Sequence, residues 1–360
     1  MKILFVDLDR EWRGGQSQAL LTVAGLRACG HDAQLLAVRA CPLAKRAEAA
    51  GVPVHAIGPR GRRIAAARLL RSLLTKGKYD LAHVNEPHAL TAAWLACAQT
   101  TAPVIASRRV AYPIKQSRLA LKRYLATSRI LAISRFVEQS LVDSGISAEK
   151  IEVVYEGVEV PARVAEHDRA SARQRWGTRN EDLLIGCVGY LLPEKGQEHL
   201  VKAFREVHER FPKARLLLAG DGPCRKTLEL LARSLGIQDA IVFAGFVEDI
   251  KQVYAALDIF AFPSLAEPLG TSLLAAMAWG LPVVAVASGG VPEYVEDDVT
   301  GLLVAQAEPK LLSEALLRMF GEKSLRDRLG EQARRKIEEK LSASRMVDNT
   351  IQAYERVLKI

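Results

Sequence analysis

The chain has 360 residues, of which 49% are hydrophobic and 25% are charged. This composition is typical of a soluble globular protein, and the length suits two domains of roughly 150–180 residues. The net charge of +9 is uneven, because residues 1–165 carry 24 Lys and Arg against 13 Asp and Glu, whereas residues 166–360 carry 26 against 28. The cysteines are odd in number and lack CxxC spacing, which argues against a disulfide framework or a zinc site and favours a reducing cytosol: Cys29, Cys41, Cys97, Cys187 and Cys224.

The amino-terminal segment predicts a buried strand and no signal peptide. Its apolar run is only four residues long before the acid at Asp7, which is too short for the apolar core of a signal peptide. Two uncharged stretches, residues 87–107 and 269–291, each contain Pro, Gly or polar residues and divide into a buried helix and a buried strand. We therefore expect no transmembrane span and a cytoplasmic location.

Short apolar runs alternate with helical patterns along the first half of the chain. Continuous apolar strands that alternate with helices are typical of an α/β domain whose parallel sheet is covered on both faces. We predict helices that include residues 18–29, 64–75 and 114–126. The predicted strands are residues 2–8, 33–38, 53–57, 81–85, 103–107, 130–133 and 151–155.

The same rhythm restarts after a polar, charged stretch. Residues 156–182 show no sustained hydrophobic period, and we divide the chain into a first domain (1–160), a linker (161–182), a second domain (183–340) and a closing helix (341–360) that reaches back toward the first domain. Two doubly wound α/β domains that face each other would form one cleft at the carboxyl ends of their strands. The strands predicted for the second domain are residues 183–188, 215–219, 241–244, 259–262, 282–286 and 301–304.

A glycine-containing loop follows the first strand. Gly14 and Gly15 lie in a loop that leads into a helix, where glycine lets backbone N–H groups approach a phosphate. The loop matches neither GxGxxG nor a Walker pattern, so a plain strand-to-helix turn is the simpler interpretation of these two residues alone.

The most informative motif lies in the second half. The sequence SLAEPLGTSLLAAMAWGLPVV at residues 264–284 resembles the signature of the family-4 retaining glycosyltransferases (group 1 glycosyltransferases). Further motifs resemble that family in order and spacing: PEKG at 193–196, AGDGP at 219–223, FAGF at 243–246 and GGVPE at 289–293. The first half resembles the family more loosely, through Gly14-Gly15, residues 80–83 and residues 156–159.

The resemblance implies two facing Rossmann-like domains of the glycosyltransferase-B type and a retaining transfer from a nucleotide-diphosphate sugar. It implies that Lys195 and the Gly14-Gly15 backbone hold the diphosphate and that Glu267 orients the donor sugar. Arginine cannot act as a base at neutral pH, so we expect Arg109 to stabilise negative charge during the reaction. The remaining predicted donor-binding residues are Tyr190, Gly222, Phe246, Val247, Gly270, Thr271 and Ser272.

Three positions depart from the family pattern. The second glutamate that the family usually places eight residues after the first is Ala275 here, and the arginine expected near Gly189 is replaced by Tyr190. The strand that often leads to a catalytic-site histidine leads here to Arg108 and Arg109. Loss of the ribose contact would weaken donor binding by about ten- to hundredfold.

The histidines and acids provide acceptor candidates and no metal site. Three polar residues lie near the carboxyl end of a predicted strand, where ligands dock: His83, Asn85 and His88. Together with Arg108 they are the acceptor-side candidates. A histidine in a buried strand is more often a satisfied core residue than a ligand-binding one. No His, Cys or carboxylate cluster has metal-ligand spacing, so we expect neither a metal nor any other cofactor.

A basic segment predicts a helix with separate cationic and leucine stripes. Lys115, Arg118 and Lys122 share one stripe, and Arg123 lies beside it. A solvated helix face is the simpler interpretation, and the alternative is docking on the anionic inner face of a membrane, which suits a lipid-linked acceptor. Nucleic acid is disfavoured because the segment lacks interleaved aromatic residues.

Taken together, these patterns predict a retaining glycosyltransferase of the hexosyl or heptosyl type. We expect its acceptor to be a lipid-linked, lipopolysaccharide or other cell-envelope glycan. The alternatives are a sugar-nucleotide-binding relative without catalysis and a sugar-nucleotide epimerase of the same architecture. The sugar, the nucleotide, the acceptor and the oligomeric state are not specified by these motifs.

Overall fold

The chain divides into two compact units. The computed structural model describes residues 1–114, 118–179 and 181–360. One unit comprises Met1–Gly157 together with Ala343–Ile360, and the other comprises Val158–Ser342. Within the described residues, no helix is long and apolar enough to cross a membrane.

The described part of the first unit contains one sheet of seven parallel strands. The strands lie in the order β3-β2-β1-β4-β5-β6-β7, and most of their residues are buried because helices cover the sheet. The strands are β1 (Lys2–Asp7), β2 (Asp32–Val38), β3 (Val54–Ile57), β4 (Leu81–Val84), β5 (Val104–Arg108), β6 (Arg129–Ala132) and β7 (Ile151–Val153).

The helices of the first unit connect these strands. Parallel neighbours require a crossover, and a helix usually provides it. Cys41 and Ser134 cap two of the helices with their side chains, which satisfies amides that a helix start leaves without partners. The connecting helices are α1 (Gly14–Ala28), α2 (Pro42–Ala49), α3 (Arg62–Gly77), α4 (Pro87–Leu95), α5 (Arg118–Leu125) and α6 (Arg135–Asp143).

The second unit has the same construction. Its described residues form a sheet of six parallel strands in the order β10-β9-β8-β11-β12-β13. The strands are β8 (Leu183–Val188), β9 (Ala214–Ala219), β10 (Ile241–Gly245), β11 (Ile259–Phe262), β12 (Val283–Val286) and β13 (Leu302–Val304). The helices are α7 (Glu166–Arg175), α8 (Gln197–Arg210), α9 (Arg225–Ser234), α10 (Lys251–Ala256), α11 (Thr271–Ala278), α12 (Pro309–Gly321) and α13 (Lys323–Lys336).

The last helix, α14 (Ala343–Leu358), belongs to the first unit. It packs on α1, where Gly25 lies against Val347 so closely that an added Cβ would come within 2.4 Å of a valine methyl. Tyr354, on the same helix, is fully buried. A glycine at this contact allows the two helices to approach, as close helix packing requires.

The fold class expected from the sequence is confirmed, with one local correction. Two parallel α/β sheets are present, and each predicted strand matches an observed one with ends that differ by no more than two residues. Residues 161–182, which we expected to form a linker, instead contain α7 and belong to the second unit. Arginine side chains attach α7 to the second unit. Because these residues are polar, the segment showed no hydrophobic period in the sequence.

Two arginines anchor α7 at the amino end of β11. The buried guanidinium of Arg173 donates to Asp258 Oδ2 (2.9 Å), and Arg169 donates to Asp258 Oδ1 (2.6 Å). Arg173 also donates to the carbonyl oxygens of Ala256, Arg179 and Asp182. Asp258 is therefore the common anion that compensates two cations, one of which is only 2% exposed.

We expect Asp258→Asn to lower the free energy of unfolding of the protein by about 3–5 kcal/mol, because it leaves the buried charge of Arg173 without its counterion. Asp327→Asn is the matched control, since Asp327 pairs with Lys323 on the surface and exposed pairs contribute about 0–1 kcal/mol. Urea unfolding of both variants measures the difference. Equal losses would contradict the anchoring role of Asp258.

Candidate active site

Each sheet has one point where its strand order reverses. In the second unit this point lies where β8 adjoins β11, and in the first unit where β1 adjoins β4. At such a reversal the two connections leave in opposite directions and open a crevice at the carboxyl ends of the strands. Lys195 and Glu267 follow β8 and β11, whereas Arg109 follows β5, the neighbour of β4.

At the reversal point of the second unit, Lys195 and Glu267 form an ion pair. Lys195 Nζ lies 2.6 Å from Glu267 Oε2. The side chain of Glu267 is only 9% exposed, while that of Lys195 is 29% exposed. The Ser264 hydroxyl donates to the same carboxylate oxygen at 3.1 Å. The pair thus combines a held carboxylate with a cation that solvent can still reach.

Backbone contacts fix the loop that carries Glu267. The Gly290 N–H donates to the Glu267 carbonyl oxygen (2.9 Å), and the Tyr294 hydroxyl donates to the Leu269 carbonyl oxygen (2.6 Å). Gly270 precedes α11 with φ of +96°, in the left-handed region that favours glycine. The carboxylate is therefore presented by a rigid turn.

A second glycine lets the Lys195 loop approach the Glu267 loop. Gly196 has φ of +69°, and a Cβ there would lie 2.0 Å from the Pro263 carbonyl oxygen. The Leu265 N–H donates to the Glu194 carbonyl oxygen at 2.8 Å. These contacts join the loops after β8 and β11 by their backbones, so the ion pair is built on a preformed frame.

The other predicted donor-binding residues lie in the loops after β8, β9 and β10 and at the start of α11. Tyr190 and Phe246 expose 54% and 71% of their surface, although both are large and hydrophobic. Gly222, with φ of +156°, lies against the carbonyl oxygen of Leu191, which leaves no space for a side chain. Val247 follows Phe246, and Gly270, Thr271 and Ser272 lie at the start of α11.

At the reversal point of the first unit, a hydrogen-bonded network connects β1, β4 and β5. Arg109 Nε donates to Glu156 Oε1 at 2.7 Å, and Arg109 Nη1 also donates to Asn85 Oδ1. Asn85 Nδ2 in turn donates to Asp7 Oδ2 at 2.6 Å and to the Gly15 carbonyl oxygen at 3.3 Å. Arg109 is therefore connected through a single amide side chain to Gly15, which lies in the first turn of α1 and not in the preceding loop as expected.

Two carboxyl groups near this network are held away from water. Burial raises the pKa of Asp7, despite hydrogen bonds from Asn85, Asp9 and Gln16. Burial, and secondarily the charge of Asp7, raises the pKa of Glu86 to about 7. Glu86 caps α4 and accepts from the backbone of Leu8 and Ala89, so both acids have structural partners.

The structure separates the acceptor-side candidates. Asn85 belongs to the network above, and His88 accepts from Arg63 Nε at 2.8 Å near the surface. By contrast, His83 is 2% exposed and Arg108 is 8% exposed. His83 is a strand residue that faces Tyr354 and Ser107, and Arg108 donates to the hydroxyl of Tyr124. Neither side chain is available to a ligand.

Sequence reasoning missed the two residues that organise these sites. Asp7 ends β1 and binds Asn85, while Ser264 follows β11 and binds Glu267. A buried acid as the last residue of an apolar strand was the available signal for Asp7. In the parts of the chain that the structure describes, no three His, Cys, Asp or Glu side chains form a group that could hold a metal ion.

Comparisons with known proteins cover nearly the whole chain. Residues 168–336 match the family model described as glycosyl transferases group 1, and residues 12–160 match that of glycosyltransferase family 4. The D-inositol 3-phosphate glycosyltransferase of Actinosynnema mirum is 32% identical over 286 residues, which cover 71% of this chain and 68% of that protein.

Other relatives are matched over shorter regions. A GDP-mannose-dependent phosphatidylinositol monomannoside mannosyltransferase of Mycolicibacterium smegmatis is 31% identical over 56% of this chain and 55% of that protein. The chain spans 43% to 63% of the length of this and three other curated relatives.

A solved structure shares the fold across its whole length. Anabaena HepE, whose crystal structure contains UDP and glucose, superposes with a TM-score of 0.86 and 24% identity. The superposition covers 98% of this chain and 99% of HepE, which shows that the chain has the same two-domain fold.

The buried histidine gives the first unit a defined pH dependence. Burial lowers the pKa of His83 to about 3, whereas in the unfolded chain it has the usual value near 6.5. Below pH 6.5 the unfolded chain therefore binds a proton that the folded protein does not. This contribution destabilises the fold progressively between pH 6.5 and pH 3.

We predict that the free energy of unfolding falls between pH 7.5 and pH 5.0 by about 2 kcal/mol more in the wild type than in His83→Gln. Comparison of the two proteins cancels the opposite contributions of Asp7 and Glu86, whose pKa values are raised. Urea unfolding at both pH values provides the four free energies. An identical pH dependence in both proteins would show that His83 is not held neutral.

Proposed function

Because the chain belongs to the family-4, group 1 glycosyltransferases, we propose that it transfers a sugar from a nucleotide-diphosphate sugar to an acceptor hydroxyl with retention of anomeric configuration. The acceptor oxygen forms a bond to the anomeric carbon, the bond from that carbon to the diphosphate breaks, and the acceptor proton passes to the leaving phosphate. The observation that carries the proposal is the Lys195–Glu267 ion pair at the reversal point of its sheet.

The ion pair suits both parts of a nucleotide-sugar. The charge of Lys195 is balanced by Glu267. We propose that Lys195 contacts the diphosphate in the complex, where a charge-assisted hydrogen bond contributes about 1.5–3 kcal/mol. Glu267 then accepts a hydrogen bond from a sugar hydroxyl, while Ser264 keeps its carboxylate in place. The first-turn amides of α11 favour negative charge nearby.

The first unit supplies a second set of groups to the proposed reaction. The amides at Gly14 and Gly15 begin α1, where no side chain caps the helix, and we assign them to the diphosphate. We assign Arg109 to stabilisation of negative charge, since the Asn85 contact directs its guanidinium toward Gly15. Its pairing with Glu156 keeps the half-buried arginine compensated between turnovers.

The proposed donor is a nucleotide linked to a hexose or a heptose. The exposed aromatic rings of Tyr190 and Phe246 provide faces for a nucleobase. UDP and glucose are present in the HepE crystal structure, and the mycobacterial relative uses GDP-mannose. We therefore propose a UDP- or GDP-linked sugar as the donor and a lipid-linked or other cell-envelope glycan as the acceptor.

Ala275 favours a second candidate function. It occupies the place of a glutamate that would bind the ribose, and it lies half-buried on α11. A sugar-nucleotide-binding relative without catalysis would tolerate this loss, and an epimerase would convert the donor without any acceptor. A thermal-shift panel of UDP-, GDP- and ADP-sugars identifies the ligand through linked stabilisation, and product analysis with and without acceptor separates the three functions.

We expect Glu267→Gln to lower turnover at least tenfold with little change in melting temperature, because the amide keeps the shape but removes the charge that orients the donor. Glu198→Gln is the matched control, since Glu198 forms a pair of the same 2.6 Å length with Lys202 on the surface. Steady-state kinetics of the two variants provide the test. Equal rates in the wild type and both variants would remove Glu267 from the site.

The basic segment of the first unit adds a proposal about location. Lys122 is exposed, and Leu119 and Leu125 on the same helix are 54% and 41% exposed. Arg123 instead donates to Thr91 Oγ1 at 2.6 Å, and Lys115 lies outside the described residues. We propose that this cytoplasmic protein docks on the inner face of a membrane through α5 and the residues before it.

The triple variant Lys115→Glu, Arg118→Glu, Lys122→Glu should lose sedimentation with anionic vesicles at low salt. Each basic residue near such a surface contributes about 1 kcal/mol, and salt screens the attraction within about 10 Å. Binding of the soluble donor should be unchanged, which serves as the folding control. If the wild type ignores anionic vesicles at low salt, the docking proposal is wrong.

A further inference from the structure

Arginines are concentrated where the strands of the first unit end. Arg39 directly follows β2, Arg60 lies in the loop after β3, and Arg62 and Arg63 form the start of α3. Arg10 follows β1. These side chains come from three different loops, and all of those loops lie at the carboxyl edge of one parallel sheet, where ligands bind in doubly wound folds.

The loops that carry these arginines are brought close together. β2 and β3 are paired up to Val38 and Ile57, and the Arg39 N–H donates to the Ile57 carbonyl oxygen at 2.7 Å. Arg63 reaches His88 at the start of α4, although β3 and β4 are separated in the sheet by β2 and β1. The start of α3 therefore lies near the loops of the inner strands rather than at the far edge.

Three members of this group, Arg39, Arg60 and Arg62, have no carboxylate paired with them in the described residues. Arg39 and Arg60 are exposed. The nearby Glu11 pairs with Arg13 instead. Arg109, at the same edge, differs because Glu156 compensates it. The three arginines therefore retain positive charge that is free to bind an anion.

The placement of two of these arginines also opposes helix stability. The first turn of α3 contains Arg62 and Arg63 and no acid, yet cations near a helix amino terminus are unfavourable because the helix dipole is positive there. The neighbouring His88 responds to the same charges: burial and then Arg62 and Arg63 lower its pKa, while the smaller effect of Asp9 raises it. A bound anion would relieve this repulsion.

We propose that Arg39, Arg60 and Arg62 bind a phosphate group on the acceptor, so that the acceptor of the proposed transferase is a phosphorylated glycan or polyol. The assignment of this phosphate group to the acceptor rests on the proposed function, whereas the phosphate site itself rests on the arginines alone. Guanidinium groups match the geometry of phosphate oxygens and form charge-assisted hydrogen bonds with them. Arg63 supports the site by holding the start of α3 to His88.

The first test measures phosphate binding by titration calorimetry with inorganic phosphate. The proposed donor site is first filled with the nucleoside diphosphate that stabilises the protein, or is removed by Lys195→Met if none does. The triple variant Arg39→Ala, Arg60→Ala, Arg62→Ala should bind phosphate at least tenfold more weakly than the wild type. The matched control is Arg68→Ala, Arg71→Ala, Lys76→Ala, which removes the same charge from exposed positions later on α3 and should change the affinity less than twofold.

The second test identifies the source of the phosphate by competition. Glucose 6-phosphate represents a soluble acceptor, and vesicles with phosphatidylinositol represent a lipid headgroup, with glucose and phosphatidylcholine vesicles as neutral controls. Competition by either phosphorylated probe, but by neither control, supports the inference and names the source. Equal phosphate affinity in all three proteins, or competition by neither phosphorylated probe, overturns it.

The two proposals fail separately. If a nucleotide-sugar is turned over but phosphate does not bind to the first unit, the acceptor inference is wrong and the transferase proposal stands. If no nucleotide-sugar binds but the arginine variant still loses phosphate binding, the anion site stands and the transferase proposal is wrong.

Discussion

The ion pair between Lys195 and Glu267 exists because β8 and β11 are neighbours in the sheet although 70 residues separate these strands in sequence. Only at a reversal of strand order do two loops leave adjacent strands in opposite directions and open a crevice. The same constraint places Asp7 beside Asn85 in the first unit. Both candidate sites therefore follow from the winding of the sheets, and the side chains at these positions determine the chemistry.

The energetics of the ion pair favour a functional role over a structural one. A largely buried ion pair recovers little more than its desolvation cost, and an apolar replacement is often neutral or stabilising. The loops around Lys195 and Glu267 are already fixed by backbone contacts and by Gly196 and Gly270. The fold therefore has little need for these charges, which favours the proposed role of the pair in ligand binding. Asp258 is the opposite case, because it compensates a buried arginine at the amino end of β11.

Most of the architecture could be predicted from the sequence, whereas the contacts inside the sites could not. Continuous apolar segments predicted the strand positions and the parallel sheets, because burial on both faces of a sheet produces an uninterrupted apolar run in the sequence. The helix α7 was missed because its arginines bind carbonyl oxygens and Asp258 rather than forming an apolar stripe. We expected His83 and Arg108 to face a ligand because they lie near strand ends, but both side chains are buried. The face on which a strand residue lies depends on the register of the strand and on the helix packed against it.

The central claim is that the Lys195–Glu267 pair binds the donor and is dispensable for folding. The most direct measurement combines Lys195→Met and Glu267→Gln in one protein and compares its unfolding free energy and nucleotide-linked stabilisation with those of the wild type. The account predicts a double variant that is as stable as the wild type, within about 1 kcal/mol, and that no longer gains stability from the nucleotide-sugar. A double variant that is several kcal/mol less stable and still binds the nucleotide-sugar would contradict it.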